Sequence, residues 1–241
     1  MPELEYTTFA YQVSIMAITE LALLHFKNNK GIEAPENKAK KENILIAIKV
    51  QASYSSYPVH LLTQIEDPSY LYLLGGWDSV ETHVEKWIPS KTNRDLLAGL
   101  QEDMEVVWLQ HLDVAPISYA PGSVNDEDSS SVVPLSAPVI AIIRYLINPG
   151  RKSDFQSAYS VSQHHLDAFV KPWGTIGAWR LDPETRDEDN GVKDEFVLFS
   201  GWHSVEDHLK FAESEGLKDL GKIEEFLEGA EIEHAVLSVT S

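Results

Sequence analysis

One eight-residue motif occurs twice in this chain, and the repetition restricts the possible folds more than any other feature of the sequence. Residues 76–83 read GWDSVETH and residues 201–208 read GWHSVEDH, so six of the eight positions are identical. Each copy follows a short apolar run and precedes a segment with helical spacing. Internal similarity of this kind indicates a repeated structural unit. The sequence therefore predicts two like domains, residues 1–114 and 138–241, joined by a linker, residues 115–137.

The length and composition of the chain agree with two domains. Of its 241 residues 43% are hydrophobic, which is enough for each half of about 100 residues to bury a core of its own. The predicted linker is rich in Pro, Ser and Asp, a composition typical of exposed connections.

Charge and missing residue types argue against several classes of function. The formal net charge of −19 would repel a nucleic-acid backbone, so no nucleic-acid partner is expected. The absence of cysteine excludes thiol nucleophiles, disulfides and thiolate metal sites. The glycines form no phosphate-binding loop, and no run approaches the ~18 apolar residues needed to span a membrane. Without a signal-peptide pattern at the start, the expected location is the cytoplasm, with no membrane partner.

Apolar periodicity gives the same order of elements in both halves. The β-branched run at residues 139–147 ends in an Asn-Pro-Gly turn and predicts a strand, and residues 15–26 are its counterpart. In their order within each half, the other predicted elements are helices at 37–53 and 152–170, second strands at 59–66 and 174–181, third strands leading into the motif, a further helical region after it, and last strands at 106–114 and 232–239. This is the βαββαβ order of a ferredoxin-like unit, an α+β fold whose antiparallel sheet carries both helices on one face. The other face is too apolar for water, so the two sheets are expected to pack face to face.

Two short segments resemble a known family. Residues 77–81 (WDSVE), between the third strand and the second helix, and residues 110–114 (QHLDV), on the last strand, are similar to the dimeric α+β barrel proteins that include the antibiotic biosynthesis monooxygenases. Tandem members of this type occur in fungi. The resemblance implies a barrel built from two sheets, with ligands bound between each sheet and its own helices. One chain would supply both halves, as a monomer that mimics the family's dimer or as a homodimer of such chains.

The same resemblance implies a range of activities. Family members include cofactor-free oxygenases of aromatic polyketides, polyketide cyclases and lyases, haem-degrading oxygenases and proteins without known activity. The cyclase mechanism needs a Tyr and a His in the second helical region, where this chain has Lys86 and Thr92. Haem-degrading members need an axial His on the second helix, and His83 and His208 lie too close to its start. No cofactor and no metal are therefore expected.

The motif histidines are the first candidates for catalysis. His83 and His208 each lie four residues after a predicted N-cap serine, Ser79 or Ser204. A helix N-terminus disfavours the charged imidazolium, so both side chains should be neutral, as a general base requires. The alternative is structural, because a residue present in both copies is also what packing beside the motif tryptophan predicts.

Other titratable groups leave similar alternatives open. Glu20 lies in an apolar strand, where a buried carboxylate is costly, so it is either an acid or base with a raised pKa or the partner of Arg144 on the sister strand. His25 lies five residues further along and should face the opposite side of the sheet. His111 is matched by His234 on the other last strand.

The remaining candidates are a helix-end histidine and several aromatic residues. His165 lies late in the predicted helix at 152–170, where it would either cap the helix or act in catalysis. The aromatic residues that could contact a flat substrate, rather than fill the core, are Trp77, Trp202, Tyr72, Trp87 and Trp179.

The sequence thus favours a cofactor-independent enzyme of secondary metabolism. It would act as a cyclase, isomerase or monooxygenase on a hydrophobic, aromatic or polyketide-like substrate by His and carboxylate acid–base chemistry. The alternative is a non-catalytic ligand-binding or stress-associated module with the same fold. A cavity of about 300 Å³ or more that contains a histidine would favour the enzyme.

Overall fold

The computed structural model describes residues 17–116, 133–182, 193–214 and 221–241. Residues 17–116 are called the first half below, and the described residues from 133 onward the second half. In chain order, the first half contains β1 (Ile18–Phe26), a 3-10 turn (Pro35–Asn37), α1 (Lys38–Ser55), β2 (Val59–Gln64), β3 (Tyr70–Trp77), a π-helix (Thr82–Trp87), α2 (Lys91–Ala98) and β4 (Met104–Leu112). The second half contains β5 (Val139–Ile147), α3 (Lys152–Phe169), β6 (Thr175–Trp179), β7 (Glu195–Trp202), α4 (Val205–Ala212), a 3-10 helix (Gly221–Phe226) and β8 (Leu227–Thr240).

All eight strands belong to one antiparallel sheet in the order β4-β1-β3-β2-β8-β5-β7-β6. Strands β2 and β8 form the central junction. Their pairing runs from His60 opposite Thr240 to Gln64 opposite Ala235. The two outer strands also meet, because Leu112 of β4 forms an isolated bridge with Arg180, just after β6. Two backbone hydrogen bonds flank this bridge, from Leu181 N to His111 O (2.8 Å) and from Asp113 N to Trp179 O (3.0 Å). The sheet therefore closes into a barrel.

The barrel interior contains an apolar core that is shared by the two halves. Its core combines side chains from both: Leu21, Leu62, Leu74 and Leu112 with Ile140, Ile142, Val197 and Phe199. The helices lie outside, where Ile44 and Ile48 of α1 pack in one cluster and Phe155 and Tyr159 of α3 in another. The expected α+β architecture is confirmed, but the strands of the two halves form one continuous sheet, joined by strand pairing as well as by contacts across the barrel interior.

Serines begin the helical region after each copy of the motif. In the first half Ser79 Oγ accepts a hydrogen bond from Thr82 N (3.1 Å), and in the second half Ser204 Oγ accepts one from Asp207 N (3.2 Å). The segments that follow differ, because the first is a π-helix and the second, α4, is an α-helix. Ser204 is the N-cap of α4, as the sequence indicates, and Ser79 accepts the equivalent hydrogen bond just before the π-helix.

Element boundaries differ from the sequence prediction in two informative places. The last strand, β8, extends from Leu227 to Thr240, beyond the predicted 232–239, because it pairs with β5 along its first part and with β2 along its second. The end of the predicted linker is not exposed, since Val133, Leu135 and Ala137 pack into the barrel core. Residues 117–132 of the predicted linker lie outside the described residues, as do residues 1–16 and 183–192.

No helix within the described ranges is both long and apolar enough to cross a membrane.

Substitution of Gly177 on β6 tests the side-chain packing of the second half. A Cβ on Gly177 would overlap the ring of Phe196, which is only 3% exposed. Gly177→Ala should therefore lower the free energy of unfolding by about 1–3 kcal/mol, measured by urea denaturation. Gly229→Ala is the matched control, because a Cβ at Gly229 would have nothing within 4 Å. Equal stability of the two variants would contradict this packing.

Candidate active site

A cavity of about 550 Å³ lies between the sheet and the helices of the first half. Its walls are mostly aliphatic, and its polar groups are few. The wall residues include Ala22, Leu24, Ile44, Ile48, Leu73, Trp87, Leu96, Leu100, Met104 and Leu109, and the polar residues include Glu20, Gln51, His83 and Asn93. An apolar cavity with a few polar side chains is the usual form of a small-molecule site.

Glu20 is a buried carboxylic acid at this cavity, with 4% of its surface exposed. Its Oε2 accepts hydrogen bonds from Gln51 Nε2 (2.7 Å) and Trp77 Nε1 (2.8 Å). Burial raises the pKa of the Glu20 carboxyl, against the opposing effect of its hydrogen bonds, above all that from Trp77. The possible ion pair with Arg144 is not formed, since Arg144 bonds to Glu195 and Glu231.

His83 lies beside Glu20 and is 2% exposed. Its ring stacks on Trp77 with a centroid distance of 4.2 Å, and its Nε2 lies 3.8 Å from Glu20 Oε1. Burial and the neighbouring His111 lower the pKa of His83 to about 3. The imidazole is therefore neutral near pH 7, as expected, although the main cause is burial rather than the helix dipole proposed from the sequence.

The other nitrogen of His83 begins a chain that ends in the second half. His83 Nδ1 lies 2.7 Å from His111 Nε2, and His111 Nδ1 lies 2.9 Å from Asp182 Oδ2. The backbone N of His111 also donates to Asp182 Oδ1 (3.0 Å). Although burial alone would raise the pKa of Asp182, its hydrogen bonds from His111 outweigh that effect and lower it. A carboxylate from one half thus completes a histidine pair of the other.

The second half contains the same arrangement around His208. His208 Nδ1 lies 2.7 Å from His234 Nε2, and His234 Nδ1 lies 2.5 Å from Oε1 of Glu66, which the first half supplies. Burial and His234 lower the pKa of His208 to about 4. His208 also stacks on the motif tryptophan, Trp202.

The two halves differ at the carboxylic acid. Strand register pairs Glu20 with His111 and Gly75, whereas the equivalent position, Ala141, pairs with His234 and Ser200. A Cβ on Gly75 would lie 2.9 Å from Glu20 Oε2, so glycine at this position leaves the space that the carboxyl occupies. In the second half Trp202 Nε1 donates to Ser200 Oγ instead (2.9 Å).

Larger side chains occupy the region of the second half that corresponds to the cavity. The strand register aligns Ala22 with Ile143 and Leu24 with Tyr145, and the buried faces of α1 and α3 align Ile44 with Phe155 and Ile48 with Tyr159. Phe155 and Tyr159 also contact Phe196 through their rings. The cavity of the first half is therefore lined by the smaller member of each pair.

Other candidates lie away from this cavity or behind its wall. His25 faces the other side of β1, where it bonds to Glu105 and stacks on Tyr70. His165 is half-buried on α3 beside His164. Of the aromatic candidates, Trp87 lines the cavity and Trp77 lies behind Glu20. The others lie elsewhere: Tyr72 against Trp108, Trp179 against Phe155, and Trp202 against His208.

Sequence reasoning missed Gln51 and Asp182. Gln51 carries no motif, and only the helical spacing of the buried positions Ile44, Ile48 and Gln51 could have placed it against the sheet. In the sequence Asp182 precedes Pro183 as Asp67 precedes Pro68, so an alignment on these dipeptides matches Asp182 with Asp67. The structure instead makes it equivalent to Glu66, since both accept from a backbone N and from Nδ1 of a last-strand histidine.

The part of the chain that the structure describes contains no group of three or more His, Asp or Glu residues arranged to hold a metal ion.

Comparison with known proteins identifies the fold. No family model and no curated protein matches the sequence. Similar solved structures include a "putative monooxygenase" from Fusobacterium nucleatum (10% identity, 94% of both chains, TM-score 0.57) and an anthrone oxidase-like protein (12% identity, 93% of this chain and 92% of that chain, TM-score 0.58). A chlorite dismutase from Candidatus Nitrospira defluvii is also similar (12% identity, 92% of this chain and 91% of that chain, TM-score 0.52). The chain therefore shares the fold of these three structures, whose names are those of enzymes or enzyme-like proteins.

The lowered histidine pKa values predict an acid-sensitive fold. Unfolding lets His83 and His208 bind protons below their ordinary pKa near 6.5, which the folded protein cannot do until about pH 3 and 4. Stability should therefore fall as the pH drops from about 6.5, by up to about 1.4 kcal/mol per pH unit for each histidine. Chemical denaturation between pH 7 and 5 measures this slope.

His208→Gln isolates the effect, because the raised pKa of Glu20 opposes the contribution of His83. The variant should lose part of the slope between pH 6 and 5, whatever its absolute stability. A slope identical to that of the wild type would contradict the half-buried, neutral state of His208.

Proposed function

We propose that the cavity of the first half is the active site of a cofactor-independent enzyme that moves a proton on a small hydrophobic substrate. One observation carries the proposal: a neutral, hydrogen-bonded imidazole and a buried carboxylic acid meet at the edge of an apolar cavity of about 550 Å³. General acid–base catalysis needs such a pair held within reach of a bound ligand.

His83 is assigned the role of general base and Glu20 that of its acid partner. The Nδ1–H of His83 can donate to His111, which leaves the Nε2 lone pair on the side of Glu20. Because Oε2 of Glu20 is occupied by two donors, Oε1 is the oxygen that can contact a substrate. The raised pKa of Glu20 favours its protonated form, which can donate to a substrate carbonyl while His83 removes a proton.

The lining of the cavity supports one class of substrate. A molecule that fits has one polar, proton-bearing end for Glu20 and His83 and an apolar body for the aliphatic walls and Trp87. A phenolic or keto-aromatic compound of polyketide type meets both conditions, and the anthrone oxidase-like neighbour points to the same class. Removal of its acidic proton leaves an enolate or phenolate that can cyclise, isomerise or react with dioxygen as co-substrate.

The proposal includes the organisation of the chain. We infer that the two halves are tandem ferredoxin-like repeats of the fungal type, because strand order, register and the two histidine pairs correspond. The chain would then act in the cytoplasm as a monomer that mimics a two-chain barrel. Light scattering should give the 27.0 kDa of one chain, whereas twice that mass would indicate the homodimer.

Paired histidine variants test the active site. Turnover of anthrones, alkylated phenols and linear polyketones by the wild type should fall by about 10²- to 10⁴-fold in His83→Ala. His208→Ala should retain activity, because the second half lacks the carboxylic acid and its corresponding region is occupied by larger side chains. Equal activity of both variants and the wild type would refute the assignment.

Ala22→Ile separates binding from chemistry. This change introduces the residue of the second half, Ile143, into the cavity wall without altering Glu20 or His83. It should weaken ligand binding, measured by calorimetry, with little loss of stability. A ligand that binds wild type but not Ala22→Ile, and is never converted, would instead establish the non-catalytic binding module.

A further inference from the structure

The polar chain at the cavity connects a fully buried end with a solvent-exposed end. The side chains of His83 and His111 are 3% and 0% exposed, whereas that of Asp182 is 30% exposed at the β4–β6 junction. The joining distances are 2.7 Å between the two histidines and 2.9 Å between His111 and Asp182. Both are hydrogen-bond lengths, so the path has no gap.

We propose that His83, His111 and Asp182 form a proton relay that links the cavity to solvent at the junction between the two halves. The inference rests on the proposed function and adds the route by which the proton leaves. His83 is the catalytic base in this scheme, while His111 and Asp182 act through it as positioning and relay residues.

One proton is transferred at each step of the relay. A substrate C–H or O–H gives its proton to His83 Nε2 and keeps the electron pair. His83 passes its Nδ1 proton to His111 Nε2, and His111 passes its Nδ1 proton to Asp182 Oδ2, which releases it to water. Both imidazoles end as the opposite tautomer and neither retains a charge. Protonation of the product reverses the sequence.

Burial gives the relay a physical purpose. A lone imidazolium in this apolar cavity is unfavourable, as the lowered pKa of His83 reflects. If the Nδ1 proton moves on as Nε2 gains one, the positive charge never accumulates beside the substrate. The proton reaches Asp182 instead, whose side chain is 30% exposed and can pass it to water.

The second half provides a matched control within the same molecule. His208, His234 and Glu66 repeat the geometry, and Glu66 is also partly exposed (39%). Ala141 stands where the first half has Glu20. A substitution at Glu66 should therefore perturb a similar hydrogen-bonded chain without affecting the cavity.

Nitrogen-15 NMR of the histidine rings tests the relay without a substrate. The nine histidines can be assigned with single His→Gln variants. Wild-type His83 and His111 should both be Nδ1–H tautomers, with a scalar coupling between His83 Nδ1 and His111 Nε2 across their hydrogen bond. Asp182→Asn should change the tautomer populations of both rings, including His83, which Asp182 does not contact. Glu66→Gln should change only His208 and His234.

The spectra can overturn the relay by themselves. Absence of the cross-hydrogen-bond coupling in the wild type would do so, and that measurement needs no variant to fold. An unchanged His83 ring in folded Asp182→Asn would also do so.

Steady-state kinetics with a substrate that the protein converts provide the second test of the relay. Asp182→Asn should lower kcat by about 10- to 100-fold with KM nearly unchanged, Asp182→Glu should restore most of it, and Glu66→Gln should have no effect. Loss of activity in His83→Ala but not in Asp182→Asn would refute the relay and leave the proposed function intact. Coupled rings without turnover of any substrate would establish the hydrogen-bonded path but overturn the proposed enzyme, and with it the catalytic role of the relay.

Discussion

The closing of the sheet by strand pairing between the halves is the constraint on which the site depends. A four-stranded sheet alone would leave two unpaired edges, which proteins normally cover or pair. Here β2 pairs with β8, and β4 meets the end of β6. These junctions place the residue that follows the second strand of one half against the last strand of the other. Asp182 and Glu66 reach His111 and His234 for this reason, so neither half can complete its histidine pair alone.

The same backbone supports two different interiors. In the first half a carboxylic acid, a glycine opposite it and small wall residues leave a cavity beside His83. In the second half alanine, serine and large aromatic residues occupy the equivalent positions around His208. Because register and hydrogen-bond geometry are otherwise matched, these side chains account for the difference. The histidine pairs are common to both halves, whereas Glu20 and the smaller wall residues belong to the first half.

Much of the fold follows from local sequence, and much of the site does not. The repeated motif, the β-branched runs and the Asn-Pro-Gly turn place the strands within a few residues, and the N-cap serines follow from their spacing to the histidines. The sequence matches His83 with His208 and His111 with His234, but it does not show that His83 contacts His111. That contact depends on tertiary packing. Asp182 could not be assigned, because its role exists only once the barrel closes. The groups that stabilise Glu20 could not be identified from local sequence either. A buried carboxyl in an apolar strand needs an ion pair or hydrogen bonds, but the sequence does not show whether Arg144 or a glutamine and a tryptophan provide them.

Glu20 is the residue that folding explains least. Burying a carboxyl group costs several kcal/mol unless its partners compensate, and apolar replacements of buried charged groups are often neutral or stabilising. The second half shows that an apolar residue is tolerated at this position, since it forms the same strands and the equivalent histidine pair with Ala141 in that place. The barrel therefore does not require an acid at this position. Around Glu20, Gly75 leaves room for the carboxyl, while Gln51 and Trp77 fix one oxygen and leave the other beside His83. Three residues support the buried carboxyl of Glu20, and the fold does not need it. This is the strongest structural argument that Glu20 has a chemical role.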